Sequence, residues 1–346
     1  MQQLRAFTLG AVLALVLLVG LAGTGMAFTV YNNMDYYRTS FNPADDLLDA
    51  ARWSNVSGSL AADGVRGLGG GIEYSIDAGF CSRLIPFFID SPRPSCAQLK
   101  TAIKRAFKQW SAGNPFLKFT DTSGKIIAML PPKGSTRPLD GYGAEINFFA
   151  LSEQEFPDVK GVGASTVLSF LSPDPIGTNG EVLSGNTLTS VDIVFNTTPF
   201  NCFHLDPALT DRDCNDFESL VLHEIGHAIG LGHPNQFPGH NFDSDGDPTN
   251  VIPIDCQDPT KGLKLSRNID PKAVMNSSLG GKPGLVLVGL TNDDLGGRNF
   301  LYPICSSNDT AAAPAGQSKS PLNSSAWMIA LGVMLFSLVV RRQSRL

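Results

Sequence analysis

The chain is poor in the residues that mark several common functions. Only five of its 346 residues are histidine, so any imidazole-based site must draw on a very small pool. Positive charge is not in excess: 26 Lys and Arg stand against 32 Asp and Glu, for a formal charge of −6. With no basic stripe visible, a nucleic-acid partner is excluded. The six cysteines include no Cys-x-x-Cys pair, which removes the metal and redox sites built on that spacing. An even set in an exported chain reads instead as disulfides. Local loop closure pairs Cys81 with Cys96 and Cys202 with Cys214, leaving Cys256 for Cys305, one of 15 possible connectivities. Glycine (35) and proline (23) announce many turns, and the length has room for one large or two small domains.

What is present converges on eleven residues, His223-Glu224-Ile225-Gly226-His227-Ala228-Ile229-Gly230-Leu231-Gly232-His233. His223 and His227 are four apart, so on a helix they share one face and can grip one cation. His233 becomes a third ligand only if the helix stops before it, and Gly230 supplies that stop by accepting a left-handed turn. Three neutral imidazoles suit zinc and leave a fourth tetrahedral position for water. Glu224 is offset from the histidines and reaches that water rather than the metal, as a general base must. Chance alone often produces a His-x-x-x-His pair. It rarely produces three histidines, a glutamate and a turn glycine in one register.

This run resembles the metzincin signature H-E-x-x-H-x-x-G-x-x-H, and its flanks look most like the matrixin branch of zinc endopeptidases. Ala273-Val274-Met275-Asn276 resembles the methionine turn that lies beneath the metal. The segment from Leu290-Thr291-Asn292-Asp293-Asp294 to Phe300-Leu301-Tyr302 resembles the last helix of a matrixin catalytic domain, and 102–110 its first. The resemblance covers roughly residues 52 to 305. It implies an α+β, metzincin-type zincin fold: a twisted mixed sheet packed on a first helix and the zinc-binding helix, with a smaller C-terminal subdomain. It also implies one catalytic Zn²⁺ held by His223, His227 and His233, with Glu224 as the catalytic residue. Matrixins often bind a second zinc through three histidines and an aspartate. His204 and His240 are all that remain here, so that site cannot be built in its usual form. Nor is there a Pro-Arg-Cys-Gly latency motif, since Pro92-Arg93-Pro94-Ser95-Cys96 lacks the order.

Around the 52–305 domain the chain divides further. Residues 1–27 have the short basic start, apolar core (Ala6 to Ala22) and small-residue site of a secretory signal peptide cut after Ala27, with an uncleaved anchor as the alternative. Residues 28–51 are a polar and aromatic segment without clear period. Residues 306–325 read as a flexible stalk. Within 326–346, Trp327 to Val340 is nearly all apolar but, at about fourteen residues, short of the roughly twenty that span a bilayer. Arg341, Arg342 and Arg345 follow, so a processed sorting tail, a retained membrane anchor and a glycolipid-anchor signal all stay open. The expected location is the cell surface, cell envelope or extracellular space, and the expected state a monomer.

Inside the domain, Ile72 to Ile76 alternates as a first strand. Ser95 should cap a helix whose stripe is Leu99, Ile103, Ala106, Phe107 and Trp110, with Lys100, Lys104, Arg105 and Lys108 as its solvated face. Gly113-Asn114-Pro115 should end it. Phe116 to Thr120, Lys125 to Leu130, Glu145 to Ala150 and Val191 to Asn196 read as strands. The last of these is assigned to border the substrate cleft and pair with an extended peptide, with 164–170 as its competitor. Asn215 with Glu218 is expected to be the capping box of the zinc helix, and Thr291 with Asp294 that of the last helix. Asn241-Phe242-Asp243-Ser244-Asp245-Gly246-Asp247 resembles half a calcium loop. Ile252 stands where the bidentate glutamate belongs, so Ca²⁺ competes with a plain acidic turn as the reading. Asn276-Ser277-Ser278 is a glycosylation sequon in a place where a glycan would not fit a closed fold.

The function implied is a secreted or surface-tethered zinc endopeptidase acting on protein or peptide substrates. The competing class is a non-catalytic, zinc-stabilised adhesion or binding module. Glu224 separates the two, because a purely structural zinc needs no carboxylate beside an open position.

Overall fold

The computed structural model describes residues 28–30, 50–53, 67–124, 144–170, 188–199, 201–209, 213–236, 242–243, 264–265, 269–277 and 289–303. Five strands form one mixed sheet: β1 (Ile72–Ile76), β2 (Phe119–Asp121), β3 (Ile146–Leu151), β4 (Ala164–Phe170) and β5 (Leu188–Asn196), in the order β2-β1-β3-β5-β4. The first four positions run parallel, and β4 closes the sheet antiparallel to β5. Period-two alternation decides the faces. Ile72, Tyr74 and Ile76, then Ile146, Phe148 and Ala150, then Val191, Ile193 and Phe195 all enter the main core. The other face carries a smaller cluster of Phe149, Val159 and Val194. Burial on both faces is what parallel strands require.

Among the described residues the three longest helices are α1 (Cys96–Ser111), α2 (Phe217–Ala228) and α3 (Asn292–Leu301). α1 starts where its sequence says. The Ser95 hydroxyl accepts from Gln98 N while the Gln98 side chain accepts from Ser95 N, a complete capping box. Its apolar stripe, with Ala102 added, is buried, and Tyr74 stacks on Phe107 at 4.2 Å between ring centroids. Beyond Ser111 the chain turns at Gly113, whose φ of +73° is one that glycine adopts freely. Trp110 then donates its indole N–H to Leu222 O at 2.8 Å, which sews α1 to α2 through the core.

The α+β class expected from the sequence is the class observed, with α1 and α2 covering one face of the mixed sheet. Disulfides Cys81–Cys96 and Cys202–Cys214 form as paired by loop closure. The first ties a short helix to the start of α1, and the second closes the loop that enters α2. Phe28, Val30, Ala50 and Ala51, ahead of the first strand, belong to the same core as the sheet. Asn276 is buried with its Nδ2 donating to Asp270 O at 2.8 Å, which leaves no room for a glycan.

Two expectations need correction. The strand assigned to the sheet's open border, 191–196, lies inside β5, flanked by β3 and β4. The edge strands are β2 and β4, and β4 is the competing segment, residues 164–170. Alternation marked 191–196 as a strand but not its place in the order, and a strand paired on both sides has no free edge to offer. The capping box of α2 is also displaced by one residue. Asp216, not Asn215, is the N-cap and accepts from Ser219 N at 2.7 Å, because the helix starts at Phe217 and Asp216 is the residue immediately ahead of it. Glu218 instead faces Arg105 of α1. Among the described residues no helix is long and apolar enough to cross a membrane. The segments 1–27, 125–130 and 306–346, most of 241–247, His240, Cys256 and Cys305 lie outside those residues.

Candidate metal centre

The site is built at the end of α2. Backbone hydrogen bonds from Gly230 N to His227 O (2.9 Å) and from Leu231 N to Gly226 O (3.0 Å) terminate the helix in a Schellman turn. Gly230 sits at φ +103°, and a Cβ there would run into the carbonyl oxygen of Ala51. Conformation and space both demand glycine at this position. The chain then leaves as an extended segment: Leu231 bridges Val30 and Gly232 N donates to Thr29 O at 2.8 Å. That path brings His233 back over the helix.

The three imidazoles meet. His223 Nε2 is 3.0 Å from the Nε2 atoms of both His233 and His227, and the last two are 2.9 Å apart. Each Nδ1 faces an oxygen: Val274 O at 2.6 Å for His223, Leu231 O at 2.7 Å for His227, and Gln236 Oε1 at 3.0 Å for His233. These oxygens only accept, so each Nδ1 carries the ring proton and donates it. Every Nε2 is then left with a bare lone pair, and three lone pairs pointing at one another near 3 Å repel unless a cation lies among them. Burial also disfavours protonation, pushing His223 down to about 4 and His233 to about 3. His227 falls well below the ordinary range through burial, with its two histidine neighbours adding to the effect. Three neutral nitrogen donors in this arrangement are the donor set that zinc takes.

Glu224 is buried one residue past His223, and its carboxylate is not among the converging atoms. Burial raises it to about 7, against the opposing hydrogen bond from Thr166. Thr166 Oγ1, on β4, lies 2.5 Å from Glu224 Oε2.

Below the histidines lies the turn at 273–276. Met275 is buried, and a Cβ at Gly226 would collide with its sulfur and come within 2.8 Å of Trp110 Cζ2. Gly226 is therefore the gap that lets the methionine reach the helix between the two histidine turns. Asp294 accepts from Thr291 N (2.8 Å), Val274 N (2.9 Å) and Met275 N (3.0 Å). It thus caps α3, as expected from the sequence, and also holds the turn whose Val274 carbonyl fixes the His223 ring.

All four residues singled out by the sequence, His223, His227, His233 and Glu224, lie at this one place. His204 does not: it is buried elsewhere, with Nδ1 3.1 Å from Asp206 O and 3.8 Å from Asp216 Oδ2. Thr166, Gln236 and the second role of Asp294 were not read from the sequence. A hydroxyl in the core-facing row Ala164, Thr166, Leu168 was the one available signal.

No protein-family model matches the chain, and no curated protein sequence is significantly similar to it. Among solved structures it is similar to high choriolytic enzyme 1, a hatching enzyme zinc-protease of the medaka fish Oryzias latipes. The two share 13% identity over 73% of this chain and 98% of that one, with a TM-score of 0.28. At that level of likeness, the functional reading has to come from the site itself.

Proposed function

We propose that this chain is a zinc-dependent endopeptidase of the metzincin type, matrixin-like in its signature, exported and held at the cell surface or released outside the cell. The observation that carries the reading is the convergence of three Nε2 lone pairs whose rings are locked by oxygen acceptors on the far side. His223, His227 and His233 would hold the ion. Zinc bound there supplies a Lewis acid that polarises a peptide carbonyl and acidifies water. Glu224 takes the proton from the attacking water and returns it to the leaving amine, and its buried setting suits a group that must both accept and donate. Gly230 and Met275 shape the site without taking part in bond changes. The border strand β4, which touches α2 through Thr166, is the edge on which an extended peptide substrate would pair. Two disulfides suit an oxidising destination. The signal-like start and the apolar, arginine-ended tail of the sequence suit export and tethering.

The test is direct. The purified full chain should hold one zinc ion and cleave casein or gelatin, and a chelator should abolish the cleavage. Glu224→Ala should retain zinc and lose cleavage by about 100-fold or more. A zinc-loaded chain that cuts nothing across a broad peptide library and a complex proteome would instead identify a zinc-stabilised binding module. Cleavage that survives Glu224→Ala would remove the mechanism.

A further inference from the structure

Strand β4 turns Ala164, Thr166 and Leu168 toward the helices, and the first and last of these enter the main core. A hydroxyl between them is costly unless it is met. Among the described residues it is met only by Glu224: Thr166 Oγ1 lies 2.5 Å from the carboxylate Oε2 and 3.2 Å from the backbone oxygen of the same residue. Among the described residues no other donor reaches that carboxylate. The arrangement is also stiff. Thr166 is β-branched, which restricts χ1, and its backbone is locked in register opposite Ile193.

We propose that Thr166 is the residue that positions Glu224. Its hydroxyl pins Oε2 against β4 and leaves Oε1 as the oxygen that meets the water. The inference rests on the metallopeptidase reading and adds a residue to it. Among the described residues the Thr166 hydroxyl bonds only to Glu224, and it acts through that residue. Pinning one oxygen removes a torsional freedom that a surface glutamate keeps, so the base stands oriented before substrate arrives.

The experiment compares the full chain with Thr166→Val, which keeps shape and removes the hydroxyl, and Thr166→Ser, which keeps the hydroxyl. Zinc content is measured by elemental analysis, and kcat and KM with a quenched peptide spanning a casein site that the chain cuts. The ¹³C resonance of the Glu224 carboxyl is recorded in metal-free protein and assigned with Glu224→Gln. The expected result for Thr166→Val is wild-type zinc content, kcat lowered about 10-fold or more, and KM within about 2-fold. Thr166→Ser should stay within about 3-fold of wild type in kcat. The Glu224 resonance should move in Thr166→Val and stay in place in Thr166→Ser. Wild-type kcat in Thr166→Val, an equal loss in Thr166→Ser, or an unmoved carboxyl resonance would each overturn the proposal. An active wild type with an indifferent Thr166→Val removes this inference alone. A wild-type chain that holds no zinc and cuts nothing removes the metallopeptidase reading, and this inference with it.

Discussion

Helices α1 and α2 lie against each other on the same sheet, yet they are built on different terms. α1 buries six of its sixteen residues along one stripe and shows the rest to water. α2 buries ten of its twelve, with the sheet, α1 and the methionine turn closing on it from different sides. An amphipathic helix is secured by its stripe and its cap, and much of its surface is free to vary. A helix enclosed on every side has no spare face, so even its glycine is a packing decision. The histidines gain from this, because a rigid support holds donor atoms in place without help from the metal.

The contrast can be tested by substitution, beginning where the two helices are joined. Trp110→Ala removes the largest side chain between them and its hydrogen bond to Leu222 O, and should cost about 3–5 kcal/mol in denaturant unfolding. A loss under roughly 1 kcal/mol would mean the helices are not coupled in this way. Gly226→Ala should cost about 1–3 kcal/mol by overpacking against Met275 and Trp110. Combining it with Met275→Ala should recover part of that loss, and purely additive losses would contradict the contact. Asp216→Ala should cost about 1 kcal/mol and Asn215→Ala less, since only Asp216 caps the helix. The reverse order would restore the cap read from the sequence. At the small end, Lys104→Ala on the exposed face of α1 should change stability by no more than about 0.5 kcal/mol. Thermal unfolding is enough to check it.

Legibility followed the same division. The stripe, N-cap and end of α1 were readable, because an amphipathic helix writes its environment into its own period. The cap of α3 was readable because Thr291 and Asp294 interact across one local turn. Local closure also sufficed for the two disulfides. The cap of α2 was misread by one residue because Asn215 and Asp216 both carry capping side chains, and only the start of the helix at Phe217 chooses between them. The border strand was misread for a related reason. Alternation tells which side chains are buried, while strand order depends on pairings between distant segments.

At the site, chain chemistry alone brought forward the candidate residues: two histidines and a glutamate in helical register, a glycine to end the helix, a third histidine beyond it, and a methionine downstream. Those depend on spacing along one chain and on what a single backbone can adopt. Only the tertiary structure decided that Val274, Leu231 and Gln236 fix the ring tautomers, that Asp294 ties the last helix to the His223 support, and that Thr166 holds the glutamate. Each of these partners comes from a loop or from a distant element, and its role arises only when folding brings its oxygen within hydrogen-bond reach.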